Sequence, residues 1–165
     1  MRCRGGEDVA TGLPFGAREI LEAAGRPGAA LDIGCGSGRL TVELGRRGAA
    51  ATGIDTNERQ LAAARRRAAE AGLEVTFAHG DMNEPLAFAD GAFGAVTSRL
   101  SLMIARDPLA TLREAVRVTA PGGAVVTAVW ARIEENPWFG EARAAAPLGA
   151  SAHHGRLGPL AAHPL

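Results

Sequence analysis

Two hydrophobic rhythms alternate along most of this chain. Short apolar runs at 29–33, 50–54, 74–78, 92–97 and 124–130 have the length and composition of buried strands. Between them lie longer segments with apolar residues at helical spacing. The first, 14–24, turns Phe15, Ile20 and Leu21 inward, and Gly25-Arg26-Pro27-Gly28 stops it. The second follows a run of glycines and reaches about Arg47, with Leu40, Val42 and Leu44 as its apolar residues. Thr56 or Asn57 caps the third, which is rich in Ala and Arg and ends near Ala71, with Gly72 as a C′ glycine. Asp107 at the N-cap and Pro108 in the first turn start the fourth, which runs to about Thr119. Pro121-Gly122-Gly123 turns the chain into the last strand. Residues 81–91 read as a loop with Leu86 and Phe88 packed beneath it.

Strand and helix in strict alternation predict parallel pairing with right-handed crossovers. The fold class is α/β: a Rossmann-like, doubly wound, mainly parallel sheet of about five strands. Residues 1–12 are polar and glycine-containing and read as loose. A domain over 13–146 follows, with a short helix opening at Asn136-Pro137-Trp138, and then an irregular Gly/Ala/Pro/His tail over 147–165.

The chemistry concentrates at the end of the first strand, in Asp32-Ile33-Gly34-Cys35-Gly36-Ser37-Gly38-Arg39. Glycines here accept backbone angles that a Cβ forbids, and they let a ligand approach the free N–H groups of a helix start. The dinucleotide fingerprint G-x-G-x-x-G fails because Arg39 stands at its third glycine. The P-loop fails because the chain has no Lys. Asp32 before the glycines would repel a pyrophosphate and suits an ammonium group. The ligand read from these residues is a cationic amine without phosphate.

This loop resembles motif I, D/E-x-G-x-G-x-G, of the class I S-adenosylmethionine-dependent methyltransferases. Four further segments fit that family in order: Gly53-Ile54-Asp55, Gly80-Asp81-Met82, Val96-Thr97-Ser98-Arg99, and Arg117-Val118 with Pro121-Gly122-Gly123. The resemblance spans about Leu13 to Trp138. It implies S-adenosylmethionine as cofactor. Asp32, Gly34, Cys35, Gly36, Ser37 and Gly38 would hold the methionine moiety. Asp55, with Thr56 beside it, would hold the ribose, at the spacing of about 20 residues past the first glycine that such an acid needs. Asp81 and the Met82 N–H would read adenine, and Ser98 would complete the site. The closest likeness is to a small-molecule subgroup with S-R-F-G-x-M-F-F-x-D-P after the fourth strand. Here that stretch is Ser98-Arg99-Leu100-Ser101-Leu102-Met103-Ile104-Ala105-Arg106-Asp107-Pro108, with aliphatic residues at the aromatic positions. Gly94 replaces the family's usual Asp. The family's antiparallel C-terminal strand pair is missing from the pattern. An uncovered fifth strand would be an apolar edge, which predicts poor solubility or pairing into a homodimer.

Composition narrows the partners. The 165 residues carry 18 Arg against 18 Asp and Glu, a formal charge of zero, so no net field steers the chain to nucleic acid or an anionic membrane. The N-P-P-Y-type motif of DNA amino-methyltransferases is also absent. Arg65-Arg66-Arg67 spreads around a helix as a solvated face. No apolar run reaches membrane-spanning length, and the first residues lack a signal-peptide core. Cys3 and Cys35 form no disulfide or metal framework, and the histidines have no ligand spacing. A cytoplasmic address is the default.

Displacement at a sulfonium needs alignment and exclusion of water more than proton transfer, so no catalytic residue is assigned. Cys35 reads as a packed residue, not a nucleophile, and Arg99 as a structural ion-pair residue. The function expected is methyl transfer from S-adenosylmethionine to a small-molecule acceptor. The alternative is a truncated or non-catalytic S-adenosylmethionine-binding module. A third reading, an NAD-dependent oxidoreductase, lacks any Tyr-x-x-x-Lys, since the chain contains neither residue.

Overall fold

The chain enters its fold through a two-residue ladder: β1 (Glu7–Asp8) pairs antiparallel with β2 (Leu13–Pro14). The computed structural model describes residues 7–8, 13–14 and 16–130. Glu7 and Asp8 form a short strand within the segment expected to be loose, and the rest of residues 1–12 lies outside the described residues. Leu13 packs against a cluster of buried residues, and the ladder follows its anchored end. Phe15, the Asn136-Pro137-Trp138 segment and the 147–165 tail lie outside the described residues.

The helices and strands then alternate: α1 (Ala17–Ala24), β3 (Ala29–Ile33), α2 (Arg39–Arg46), β4 (Ala50–Asp55), α3 (Glu58–Glu70), β5 (Thr76–His79), β6 (Phe93–Arg99), α4 (Pro108–Val118) and β7 (Thr119–Ala128). The sheet order is β5-β4-β3-β6-β7, and every neighbouring pair is parallel. The chain winds outward from β3 through β4 and β5, then returns to lay β6 on the other side of β3. The order thus reverses between β3 and β6, the point where open α/β sheets bind ligands at the carboxyl ends of their strands.

The caps follow the sequence rules. Asn57 accepts from the N–H groups of Arg59 and Gln60, so it, not Thr56, is the N-cap of α3. Asp107 does the same for Leu109 and Ala110 on α4, with Pro108 in the first turn. Gly72 follows α3 with φ +64°. α1 begins later than expected because Pro14 belongs to β2 and Gly16, at φ +74°, is its N-cap. β7 begins earlier, at Thr119. Its register slips between the Phe93 and Ala95 pairings, so Pro121-Gly122-Gly123 bulges inside the strand instead of preceding it.

The two faces of the sheet carry different helices. Ala30 and Ala51 pack with Ala17, Ile20 and Leu21 of α1 and with Leu40 and Leu44 of α2. Phe77 packs with Cys35, Val42 and α3 residues Leu61, Ala64 and Ala68. On the other face Leu31, Ile33, Ile54 and Val96 meet Ala115 and Val118 of α4, with Leu86 and Phe93. Phe88 stands edge-on to Phe93, ring centres 5.0 Å apart, which fixes the loop after β5 as expected. Leu31 is fully buried at the centre, and truncating such a residue to Ala costs about 2–5 kcal/mol. Gly94 lies against Pro27, where an added Cβ would stand 3.2 Å from the proline Cβ.

Candidate functional site

Four strand ends, those of β3, β4, β5 and β6, and the loops after them build the site. The Gly34 and Cys35 N–H groups both donate to the Ile54 carbonyl at 2.9 Å, and the Gly80 N–H donates to the Asp55 carbonyl. The loops after β3, β4 and β5 are thereby tied together. Gly34, Gly36 and Gly38 all have positive φ. Two of them are also pinned by neighbours. A Cβ on Gly34 would lie 2.3 Å from the Ser101 Cβ, and one on Gly38 would lie 2.7 Å from the Ala64 Cβ and 2.8 Å from the Phe77 ring. Gly36 differs, because a Cβ there would meet nothing within 4 Å. Its main chain faces open space.

Asp32 is 1 % exposed. The Thr41 hydroxyl donates to Oδ2 at 2.7 Å, and the Thr97 hydroxyl reaches Oδ1 at 3.2 Å. Burial raises the carboxyl to a pKa of about 6, against the lowering pull of the two hydroxyls and of the Arg99 charge. Asp55 accepts from the Gly36 N–H through Oδ2 at 2.8 Å and from the Asn57 N–H through Oδ1 at 2.9 Å. It therefore braces the glycine loop as well as ending β4. Burial, with the Asp32 and Asp55 charges, pushes the Cys35 thiol far above its ordinary range, which agrees with a packed residue and not a nucleophile.

Two clefts meet over this frame. One, of about 240 Å³, is lined by Asp32, Gly34, Cys35, Gly36, Ser37, Arg39 and Arg99, among others. The other, of about 210 Å³, is lined by Gly34, Asp55, Thr56, Met82, Arg99 and Ser101, with Leu100 and Ile104. Gly34 and Arg99 belong to both. Most of the expected site residues are thus brought together. Gly38, Asp81 and Ser98 are not in either lining. Gly38 is buried at the N-cap of α2. Asp81 accepts from the Asn83 backbone and side chain, an Asx turn that holds its carboxyl below the usual range. Ser98 is buried, with its hydroxyl 2.7 Å from that of Ser101.

Sequence reading missed Leu100, Ser101 and Ile104. The signal that finds them is the general rule that ligands sit beyond strand C-termini; the stretch after β6 itself carries aliphatic residues where the family pattern is aromatic. Arg99 was expected to be structural; it is half-buried at the junction of both clefts. The arginine run on α3 is mainly surface, though Arg67 donates to the Ser37 carbonyl at 3.2 Å and Arg65 to that of Phe77.

The profile of the methyltransferase domain matches residues 31–127, well over half of the chain. The chain belongs to the methyltransferase domain family. A ubiquinone biosynthesis O-methyltransferase from Pseudomonas aeruginosa is 36% identical to this methyltransferase domain over 125 residues, 75% of this chain and 53% of the relative. Among solved structures, an S-adenosylmethionine-dependent methyltransferase from Mesorhizobium loti is 28% identical with a TM-score of 0.59, covering 68% of this chain and 51% of that one. The cyclase SpnF is 33% identical with a TM-score of 0.62, covering 67% and 42%. The chain spans about half the length of the curated relatives it matches.

Membership of this family implies S-adenosylmethionine as cofactor, and the residues present fit it. The open cradle over Gly36 admits a ligand against the main chain. No side chain caps α2 at Gly38, and the start of a helix favours an anion such as a ligand carboxylate. Asp32 suits a ligand ammonium, and the carboxylate of Asp55 suits a hydroxyl donor. Among the described residues no helix is long and apolar enough to cross a membrane.

Proposed function

We propose that this methyltransferase domain binds S-adenosylmethionine in the joined clefts and directs methyl transfer to a small-molecule acceptor. The observation that carries the reading is the pair of clefts sharing Gly34 and Arg99, with Asp32 in one lining and Asp55 in the other. When bound, the cofactor supplies a methyl group on a positively charged sulfur. The chain's part is to hold, align and exclude water.

Asp32, Cys35, Ser37 and the glycines at 34, 36 and 38 serve the amino-acid end in this reading. The Asp32 carboxylate is almost fully buried, so it acts on a ligand ammonium through its charge. Asp55 and Thr56 serve the ribose, and the two N–H donors on Asp55 fix its orientation. Asp81 and Met82 serve the adenine, with Met82 in the lining and Asp81 holding the turn beside it. Ser98 acts from behind, through Ser101. An oxygen acceptor is the class supported by the likeness to ubiquinone biosynthesis O-methyltransferases. The domain boundaries 13–146 and 147–165, a cytoplasmic address and a homodimer through the β7 edge are part of the same proposal. The last is supported by β7 pairing on one side only among the described strands.

A second reading, a cofactor-binding module without methyl transfer, is favoured by the likeness to a solved structure named as a cyclase. Calorimetry with S-adenosylmethionine, S-adenosylhomocysteine and NAD, with Asp55→Ala as control, tests the cofactor. Micromolar binding of the first two, weakened in the variant, is expected. Binding of NAD alone sinks the reading. Transfer of a labelled methyl group to hydroxylated small molecules then separates enzyme from module.

A further inference from the structure

One residue breaks the backbone rule that the rest of the described chain keeps. Nine glycines take positive φ, and Leu100, at +62°, is the only other described residue that does. A bulky side chain in the left-handed region is strained. This chain is rich in glycine and places one at every other such turn, so a leucine here needs a reason.

The surroundings hold the strain in place. Leu100 donates its N–H to the Ala128 carbonyl at 2.7 Å. Before it, Ser98 is buried and its hydroxyl accepts the Leu102 N–H at 3.2 Å. After it, the buried Ser101 donates to the Ile33 carbonyl at 2.7 Å and sits where Gly34 lacks a Cβ. The turn is over-determined on both sides, the condition under which strained residues persist at functional sites. Leu100 itself is only half-buried. Its side chain is not spent in the core. It lines the cleft that also contains Asp55, Thr56 and Met82.

We propose that Leu100 is kept in the left-handed conformation so that its side chain forms an apolar wall of this cleft and packs against the bound cofactor. It is a positioning residue that gives up fold stability for binding. The inference rests on the cofactor reading above. It implies an unusual sign: removing the side chain strengthens the fold and weakens the ligand.

Leu100→Gly and Leu100→Asn test it together. Both accept positive φ, and Asn does so without the added chain freedom of Gly. Thermal melts and calorimetry with S-adenosylhomocysteine are measured on the full chain. The expected result is a melting midpoint a few degrees higher in at least the Asn variant, with affinity in both reduced roughly tenfold, the equivalent of about 1.4 kcal/mol. Unchanged affinity in both variants overturns the proposal, because the side chain then does not serve the ligand. A lower midpoint in both variants also overturns it, because Leu100 is then an ordinary packing residue. Asp55→Ala separates the two levels. If wild-type affinity is strong and Asp55→Ala weakens it, a failure at Leu100 is a failure of this inference alone. If the wild-type protein binds no S-adenosylhomocysteine, the cofactor reading falls and this inference falls with it.

Discussion

At Asp32 the preference set by folding opposes the one proposed for binding. Its carboxyl is raised from 3.8 to about 6 by burial. A carboxyl with a raised folded pKa holds its proton more tightly folded than unfolded. Its contribution therefore favours the fold at low pH and is lost as pH rises from about 4 to about 6. Above that window the buried charge costs about 3 kcal/mol. Denaturant unfolding at pH 4.5 and 7.5 is expected to show this loss in the wild type, and Asp32→Asn is expected to flatten it. A ligand ammonium beside Asp32 favours the charged form, so affinity for S-adenosylhomocysteine, a zwitterion with a neutral sulfur, is expected to rise with pH through 6 and to lose that slope in Asp32→Asn. A slope that survives the substitution rules out Asp32 as its source. Gly38 offers a plainer case. At φ +74°, and with Ala64 and Phe77 closer than 3 Å to any Cβ, Gly38→Ala combines backbone strain with overpacking. The expected loss is about 2–4 kcal/mol, read from the midpoint of urea unfolding.

At the scale of elements, Arg117 at the end of α4 organises the loop after β5. Its guanidinium donates to the Leu86 and Phe88 carbonyls, to Asp90, and through two nitrogens to Glu114. Glu114 also accepts the Leu86 N–H. These donors, Arg117 first, hold the Glu114 carboxyl down at about 2. A depressed carboxyl stabilises the fold above its ordinary pKa of 4.5, and that support is lost as pH falls toward 2. Salt screens such a partly exposed pair, so geometry is the larger part of its role. Arg117→Ala is expected to lower the melting midpoint and to speed amide exchange selectively at residues 81–91, with β3 and β4 unchanged. Uniformly faster exchange throughout the sheet would show that Arg117 is a global fold determinant instead. Because Met82 lines the cleft, the same variant also tests whether loop order reaches the site.

For the whole molecule, the site is a property of the winding. β3 lies at the centre of the sheet, with β4 on one side and β6 on the other. Residues 34, 55 and 99 to 101 meet only because three distant strand ends share one edge. A ligand that binds this assembled edge and not the unfolded chain stabilises the fold by mass action. S-adenosylhomocysteine at a hundred times its dissociation constant is expected to add about 2.7 kcal/mol, and NAD at the same concentration nothing. Differential scanning calorimetry reads both. Equal shifts from the two ligands would contradict a site built for a cationic amine without phosphate.

Local rules settled what local physics controls. Periodicity located the strands and helices, glycine and Asx chemistry located the caps at Gly72 and Asp107 and narrowed that of α3 to Thr56 or Asn57, and the family resemblance named Asp32, the glycine loop and Asp55 as parts of one site. These features rest on short-range sterics and hydrogen bonds, so they are written in consecutive residues. The tertiary structure decided what depends on contacts across the chain. It made Asp32 a buried acid shared by Thr41 and Thr97, made Asp55 a brace for the Gly36 N–H, and fitted Ser101 into the space left by Gly34. It paired Glu7–Asp8 with Leu13–Pro14, and it bulged β7 where a turn was expected. It also placed Leu100 in a conformation that no leucine adopts by local preference. Each of these outcomes is set by a partner at least several residues away, and the hydrophobic pattern names the face a residue occupies, not the partner it meets there.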